Sequence, residues 1–223
     1  AQRQFTGNAA HELRTPMTTI KGFVDGILDG TIPPEMQNHY LQLVSEETGR
    51  LARLIQNMLD LSKLESGEYQ VNARMFNIWE TLTGVALAAE QRINDGMIEL
   101  EGLTMDEKVL VYADPDLIHQ VAYNILDNAI KYSAPGGRIT VKIWQGEYKA
   151  FIEIIDQGRG IPPEDLENVK TKFYKGSNSV RGSGIGLALV DSIMTALDGT
   201  LDIKSTLGRG TVVTLGLPLY HKA

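Results

Sequence analysis

The chain has 223 residues, room for one or two domains, and 43% of them are hydrophobic, which argues against global disorder. Lys and Arg total 21 against 28 Asp and Glu; the net charge of −7 disfavours nucleic acid as main partner, because phosphate contacts need a basic surface. With no cysteine, disulfides and thiolate metal sites are excluded, and no run of about 18 apolar residues exists to span a membrane.

Ala1-Gln2-Arg3-Gln4 leads straight into a helical pattern, with no initiator Met, apolar leader or helix cap. We expect a piece of a longer protein, its first helix continuing upstream. Leu13, Met17, Ile20, Val24 and Ile27 then follow a 4-3-4-3 spacing, and Leu41, Val44, Thr48, Leu51, Ile55 and Met58 continue as 3-4-3-4-3. Alternating steps of three and four place one residue per turn on a single seam. Asp29-Gly30-Thr31-Ile32-Pro33-Pro34 breaks the pattern between the runs, so the two helices form a hairpin. Two such hairpins across a dyad bury both seams as a four-helix bundle, which predicts a homodimer; the alternative is a hairpin packed on its own C-terminal half.

Ser66-Gly67-Glu68 marks a linker, dividing the chain into 1–66 and 67–223. Beyond it the pattern turns mixed. Strands fit Met97–Leu100, Lys108–Tyr112, Ile139–Ile143, Phe151–Ile155, Thr200–Lys204 and Thr211–Leu217, and helices fit Ile78–Arg92, Pro115–Lys131 and Ile185–Leu197. Strands and helices are segregated rather than strictly alternating, which predicts an α+β two-layer sandwich with a mixed sheet.

Three segments carry candidate chemistry. On the Pro115–Lys131 helix, Gln120, Asn124, Asn128 and Lys131 share one arc, next to an apolar arc of Ile118, Val121, Ala122, Ile125 and Ala129. Two Asn one turn apart can hold one divalent ion and the phosphates it bridges, and amide oxygens suit Mg²⁺. The competing reading is a solvated polar face with Asp127 and Lys131 as an i,i+4 pair. Asp156-Gln157-Gly158-Arg159-Gly160-Ile161-Pro162 follows a strand, where the glycines permit a sharp turn and Asp156 can accept a hydrogen bond from a base amino group; an ordinary turn reads the same way. Gly182-Ser183-Gly184-Ile185-Gly186-Leu187 opens a helix whose N-terminus favours an anion such as phosphate. A polar loop precedes it rather than a strand, and no Gly-Lys-Ser/Thr follows, so neither a dinucleotide turn nor a P-loop fits.

Upstream, His11-Glu12-Leu13-Arg14-Thr15-Pro16 places a histidine beside a carboxylate within the first helix. His39, His119 and His221 lack that neighbour and read as surface or structural histidines. Taken in order, these motifs resemble those of a bacterial-type sensor histidine kinase over nearly the whole chain. Phe5–Pro16 resembles the phosphoacceptor box, Asn124–Ser133 the N box, Asp156–Pro162 and Gly182–Leu189 two glycine boxes, Lys172–Lys175 the F box, and Ser205–Thr211 the closing glycine turn.

The resemblance implies ATP-dependent autophosphorylation on His11, with Glu12 as its acid–base partner and Thr15 positioning water to dephosphorylate a partner. It implies Mg²⁺ on Asn128 and Asn124, phosphate contacts from Lys131 and Lys175, Tyr132 lining an adenine site, and Asp156 binding the adenine amino group. Gly158, Gly160, Gly182, Gly184, Gly186 and Leu187 would shape the nucleotide site. The implied partner is a response-regulator receiver domain, docking near Thr18, Lys21 and Gly22, and Pro16 would bend the helix beneath His11. The implied setting is a cytoplasmic fragment of a cell-membrane receptor that itself touches neither membrane nor nucleic acid. The chain departs from the family pattern at Lys175, where Arg is common, at Gln157, where Asn is usual, and in a short lid between Lys175 and Gly182 carrying Asn178; slower turnover is the expectation. A nucleotide-binding, non-catalytic dimeric scaffold is the alternative, and a nucleotide-driven clamp of the gyrase type has no use for the histidine-bearing hairpin.

Overall fold

Two long helices begin the chain, α1 (Gln2–Leu28) and α2 (Pro34–Ser66), in a computed structural model that describes residues 2–103, 108–176 and 182–219. The turn between them follows from its residues. The Ile32 N–H reaches the Gly26 carbonyl at 2.7 Å, Asp29 Oδ1 accepts the Thr31 N–H at 2.9 Å, and Ile32 buries itself against Gly26. Pro34 opens α2 at a position where a missing N–H leaves no hydrogen bond unmade. Gly67, left-handed at φ 71°, closes α2 while the Glu68 and Tyr69 N–H groups bond the Lys63 carbonyl.

The predicted seam runs along the hairpin and is only partly covered in a single chain. Leu13, Ile20, Val24 and Ile27 are half-buried, whereas Met17, Leu41 and Ile55 stand exposed. A second stripe on α2 behaves differently. Leu54 and Leu61, one heptad apart and off the seam, are buried in the same hydrophobic core as the C-terminal half. The hairpin therefore also packs on its own C-terminal half.

That half contains β1 (Arg74–Asn77), α3 (Ile78–Ala88), α4 (Glu90–Asp95), β2 (Glu99–Glu101), β3 (Leu110–Ala113), α5 (Pro115–Tyr132), β4 (Arg138–Gln145), β5 (Lys149–Asp156), α6 (Pro163–Leu166), α7 (Gly186–Ala196), β6 (Thr200–Thr206) and β7 (Gly210–Pro218). Five strands form one sheet in the order β2-β4-β5-β7-β6, parallel only between β2 and β4, so the sheet is mixed as expected. Its buried face is plain in β5, where Ala150, Ile152, Ile154 and Asp156 are buried in alternation; β5 packs on α5, and α5 in turn lies against α3 and α7.

Two expectations change. Lys108–Tyr112 does not extend the main sheet; β3 pairs with β1 in a separate antiparallel ribbon. The single helix over Ile78–Arg92 is two, because Ala89 leaves helical geometry at φ −97°, ψ 0°. The start of α5 is set by Asp114, whose Oδ1 accepts the Asp116 and Leu117 N–H groups while Oδ2 accepts the Asn72 N–H at 2.8 Å. Pro115 follows at N1, and α5 then carries the site on its polar arc.

Candidate active site

A cavity of about 360 Å³ opens between α5, the loop after β5 and the N-terminal end of α7. Every residue expected of the nucleotide site lines it except Gly158: Asn124, Asn128, Lys131, Tyr132, Asp156, Gly160, Lys175, Gly182, Gly184, Gly186 and Leu187. Gly158 lies behind the wall, where its N–H donates to Asp156 Oδ1 at 2.8 Å. The lid positions 177–181, Asn178 among them, lie outside the described residues.

Asp156 is placed by the end of β5 and is buried. Its Oδ1 takes two backbone N–H bonds, from Gly158 and from Thr211 at 3.3 Å, and Oδ2 has no partner among the described residues. One acceptor oxygen is thus tied down and the other left for a ligand N–H, which fits an adenine amino group. Burial raises the Asp156 pKa above its ordinary value, against the opposing pull of those two N–H bonds. A carboxyl raised in this way is a cost to folding at neutral pH that fades as pH falls through the folded-state value, and its capacity to accept a ligand hydrogen bond fades over the same interval. Carboxyl-carbon NMR is expected to give an Asp156 midpoint above about 3.9, and a midpoint at or below it would remove burial as the dominant influence.

Asn124 donates to the Gln120 carbonyl at 2.8 Å, which leaves its Oδ1 facing Gly186. A Cβ at Gly186 would lie 2.9 Å from that oxygen, so the opening of α7 can approach α5 only with glycine there. Gly160 is constrained by conformation: φ is 69° and a Cβ would collide with the Thr206 carbonyl. Asn128 makes no hydrogen bond within the described residues. Among those residues no three His, Cys, Asp or Glu converge as a metal site, so amide oxygens together with ligand phosphates form the donor set that fits Mg²⁺ here.

The i,i+4 pair considered for the α5 face does not form. Asp127 pairs with Arg92 rather than Lys131. Lys131 instead turns to Tyr132, 3.0 Å from its hydroxyl and 4.6 Å from its ring centroid. Arg159 covers the same ring, also at 4.6 Å.

The phosphoacceptor motif lies outside the cavity lining but is tied to it. His11 is 76% exposed at its side chain, and Glu12 Oε1 lies 3.9 Å from its Nδ1, too far for a hydrogen bond. The same Glu12 oxygen accepts from the Lys175 ammonium at 2.6 Å. Lys175, expected at the phosphates, thus lines the cavity and holds the residue beside His11. Thr15 is exposed, and among the described residues its hydroxyl makes only a long 3.4 Å bond to the His11 carbonyl. Pro16 is buried within an unbroken α1, where it removes the N–H that the Glu12 carbonyl would have received. A further ion pair, Lys172 with Glu65, joins the two halves, and the Gln120 amide donates to Asp60 at 2.8 Å.

Several lining residues had no sequence signal assigned to them. Arg50, Arg53, Leu54 and Asn57 of α2 form one wall. Asp165, buried at the end of α6, accepts the Tyr174 hydroxyl at 2.5 Å and raises the Tyr174 pKa above its ordinary value.

Residues 1–67 match the model of the His Kinase A (phospho-acceptor) domain, and residues 113–221 match that of the histidine kinase-, DNA gyrase B- and HSP90-like ATPase. The sensor histidine kinase YclK of Bacillus subtilis is 36% identical over 99% of this chain. The chain belongs to the sensor histidine kinase family. Like other sensor histidine kinases of known structure, it follows the fold of AdeS from Acinetobacter baumannii, with a TM-score of 0.79 and 27% identity over 95% of this chain and 98% of that one. It is similar also to the histidine kinase ThkA, solved in complex with the response regulator protein TrrA, with a TM-score of 0.77 and 25% identity over 97% of this chain and 61% of that one. The chain spans 47% of the length of YclK, so the kinase family is represented here by the portion carrying these two domains.

Proposed function

We propose that this chain phosphorylates itself on His11 from ATP bound in the C-terminal cavity, then passes the phosphoryl group to an aspartate of a response-regulator receiver domain. The observation that carries this is the Lys175–Glu12 bond, which joins a cavity-lining residue to the immediate neighbour of His11. Nδ1 faces Glu12, so Nε2 is the attacking atom. As Nε2 bonds to the γ-phosphorus, the bond from that phosphorus to the β-phosphate oxygen breaks and ADP leaves. The developing positive charge on the ring is met by Glu12, once Lys175 turns from that carboxylate toward the phosphates. Asn128 and Asn124 would hold Mg²⁺ together with the phosphates, and the ion would supply charge neutralisation on the nucleotide.

Similarity to ThkA, solved with a response regulator, supports a receiver domain as acceptor, with Thr18, Lys21 and Gly22 as the docking surface; all three are exposed. The open seam at Met17, Leu41 and Ile55 supports a homodimer. Thr15, one turn below His11, is assigned to partner dephosphorylation. Among the described residues no helix is long and apolar enough to cross a membrane, and we assign the chain to the cytoplasmic side of a membrane receptor on its family alone.

Incubation with γ-labelled ATP and Mg²⁺ is expected to give acid-labile, base-stable label that disappears in His11→Gln. Label surviving that substitution would overturn the assignment. Nucleotide binding with no label under any condition would favour the non-catalytic scaffold.

A further inference from the structure

The cavity has a wall that its C-terminal motifs do not account for. Arg50, Arg53, Leu54 and Asn57 fall at i, i+3, i+4 and i+7 on α2, a single helical face, and all four line the cavity. The Asp60–Gln120 bond fixes this face against α5 one turn before Asn124, the Mg²⁺ and phosphate side of the site rather than the Asp156 side.

The cations around the cavity are not equally available. Lys131 and Arg159 are both drawn to the Tyr132 ring at 4.6 Å, and Lys175 is held by Glu12 at 2.6 Å. Arg50 has one guanidinium nitrogen on Glu47 at 3.3 Å, which leaves its other edge open. Arg53 makes no ion pair or hydrogen bond within the described residues; its guanidinium lies along α2 over Gly49, 3.6 Å from where a Cβ would be. A polyanionic triphosphate entering this cavity meets these two guanidinium groups as its least committed cationic partners.

We infer that Arg53, assisted by Arg50, binds the terminal phosphates of the nucleotide, so that ATP is held by both halves of the chain at once. The phosphoacceptor hairpin then contributes the phosphate wall of the site, in addition to carrying His11. A planar guanidinium bonds two phosphate oxygens together, which fixes the direction of the γ-phosphate as well as adding affinity. Adenosine, which lacks phosphates, gains nothing from this wall.

The inference rests on the nucleotide reading above, and the test separates the two. Calorimetric titration of the intact dimer with β,γ-imido-ATP plus Mg²⁺, with ADP plus Mg²⁺ and with adenosine compares wild type, Arg53→Ala, Arg53→Gln and the Arg50→Ala/Arg53→Ala pair. The paired variant is expected to lose about tenfold in affinity for imido-ATP, a smaller factor for ADP, and less than about twofold for adenosine. Arg53→Gln, which keeps part of the aliphatic stem and removes the charge, is expected to lose affinity in the same order, so a packing defect in the alanine variants cannot mimic the result. Affinities unchanged within twofold for all three ligands in every variant would overturn the phosphate wall while leaving the nucleotide site intact. Equal losses for adenosine and imido-ATP would overturn it as well, by showing a general disturbance. Wild type failing to bind any of the three would take the nucleotide reading down with it.

Discussion

Asp156→Ala is expected to weaken adenine-nucleotide binding by about ten- to a hundredfold, the range of one charge-assisted hydrogen bond worth about 1.5–3 kcal/mol. The loss has two sources in the geometry. Oδ2 is the acceptor left without a partner among the described residues, at the end of the cavity proposed for the base, and Oδ1 keeps the Gly158 and Thr211 N–H groups satisfied, which holds the turn in place. Removing both oxygens leaves two backbone donors unpaired, so some stability falls too. Asp156→Asn separates the contributions. If its amide oxygen keeps the two N–H bonds, its NH₂ faces the cavity and meets the adenine amino group donor to donor. Adenine nucleotides are then rejected as strongly as in the alanine variant, whereas a base with a carbonyl at that position, as in guanine, is favoured relative to wild type. Calorimetry with ADP and GDP on both variants gives the answer. Unchanged ADP affinity in Asp156→Ala would remove the adenine assignment.

Leu61→Ala is expected to cost about 2–5 kcal/mol of local stability, because it empties a fully buried site between α2 and the C-terminal half. The effect is expected to be confined to the contact between the halves. Hydrogen exchange should quicken in the last turns of α2 and in α7, which packs on it, while the sheet from β4 to β7 keeps its protection. Ile55, exposed on the opposite seam, serves as the contrast: in the proposed homodimer its truncation should act on subunit association and leave α7 unchanged. Protection in α7 that is untouched by Leu61→Ala would mean that the halves hold together by their polar contacts alone.

Leu61 also shows what could be read from sequence and what could not. The hairpin was legible because Leu13–Ile27 and Leu41–Met58 repeat their spacing over many turns and a Gly-Thr-Ile-Pro-Pro break lies between. The polar arc of α5 and both glycine segments were legible for the same reason: short-range spacing dictates which residues share a face. Leu54 and Leu61 were written in the sequence too, as apolar residues one heptad apart and off the seam, but a single apolar pair does not say what covers it. Arg50 and Arg53 carried no local signal, since an arginine on a helix is usually solvated, and only the packing of α2 against the C-terminal half makes them part of a cavity. The strand at Arg74–Asn77 is four residues long without apolar alternation, and it exists because β3 pairs with it. The break at Ala89 has no glycine or proline to announce it. Glu12 was expected near the imidazole despite adjacent residues pointing about 100° apart on a helix. The structure brings it to 3.9 Å and gives its hydrogen bond to Lys175, a partner 163 residues away that no spacing rule reaches.

The joint between the halves mixes two kinds of adhesive with opposite responses to salt. Leu61 is dry and indifferent to ionic strength, whereas Lys172–Glu65 and Lys175–Glu12 involve partly exposed lysines and are weakened by screening. Loosening the ionic contacts while the leucine stays seated leaves a swivel: the nucleotide-bearing half can yaw about a greasy pin without detaching. Such a pin lets the ring at the top of the first helix be approached from a changed angle while Leu61 stays buried.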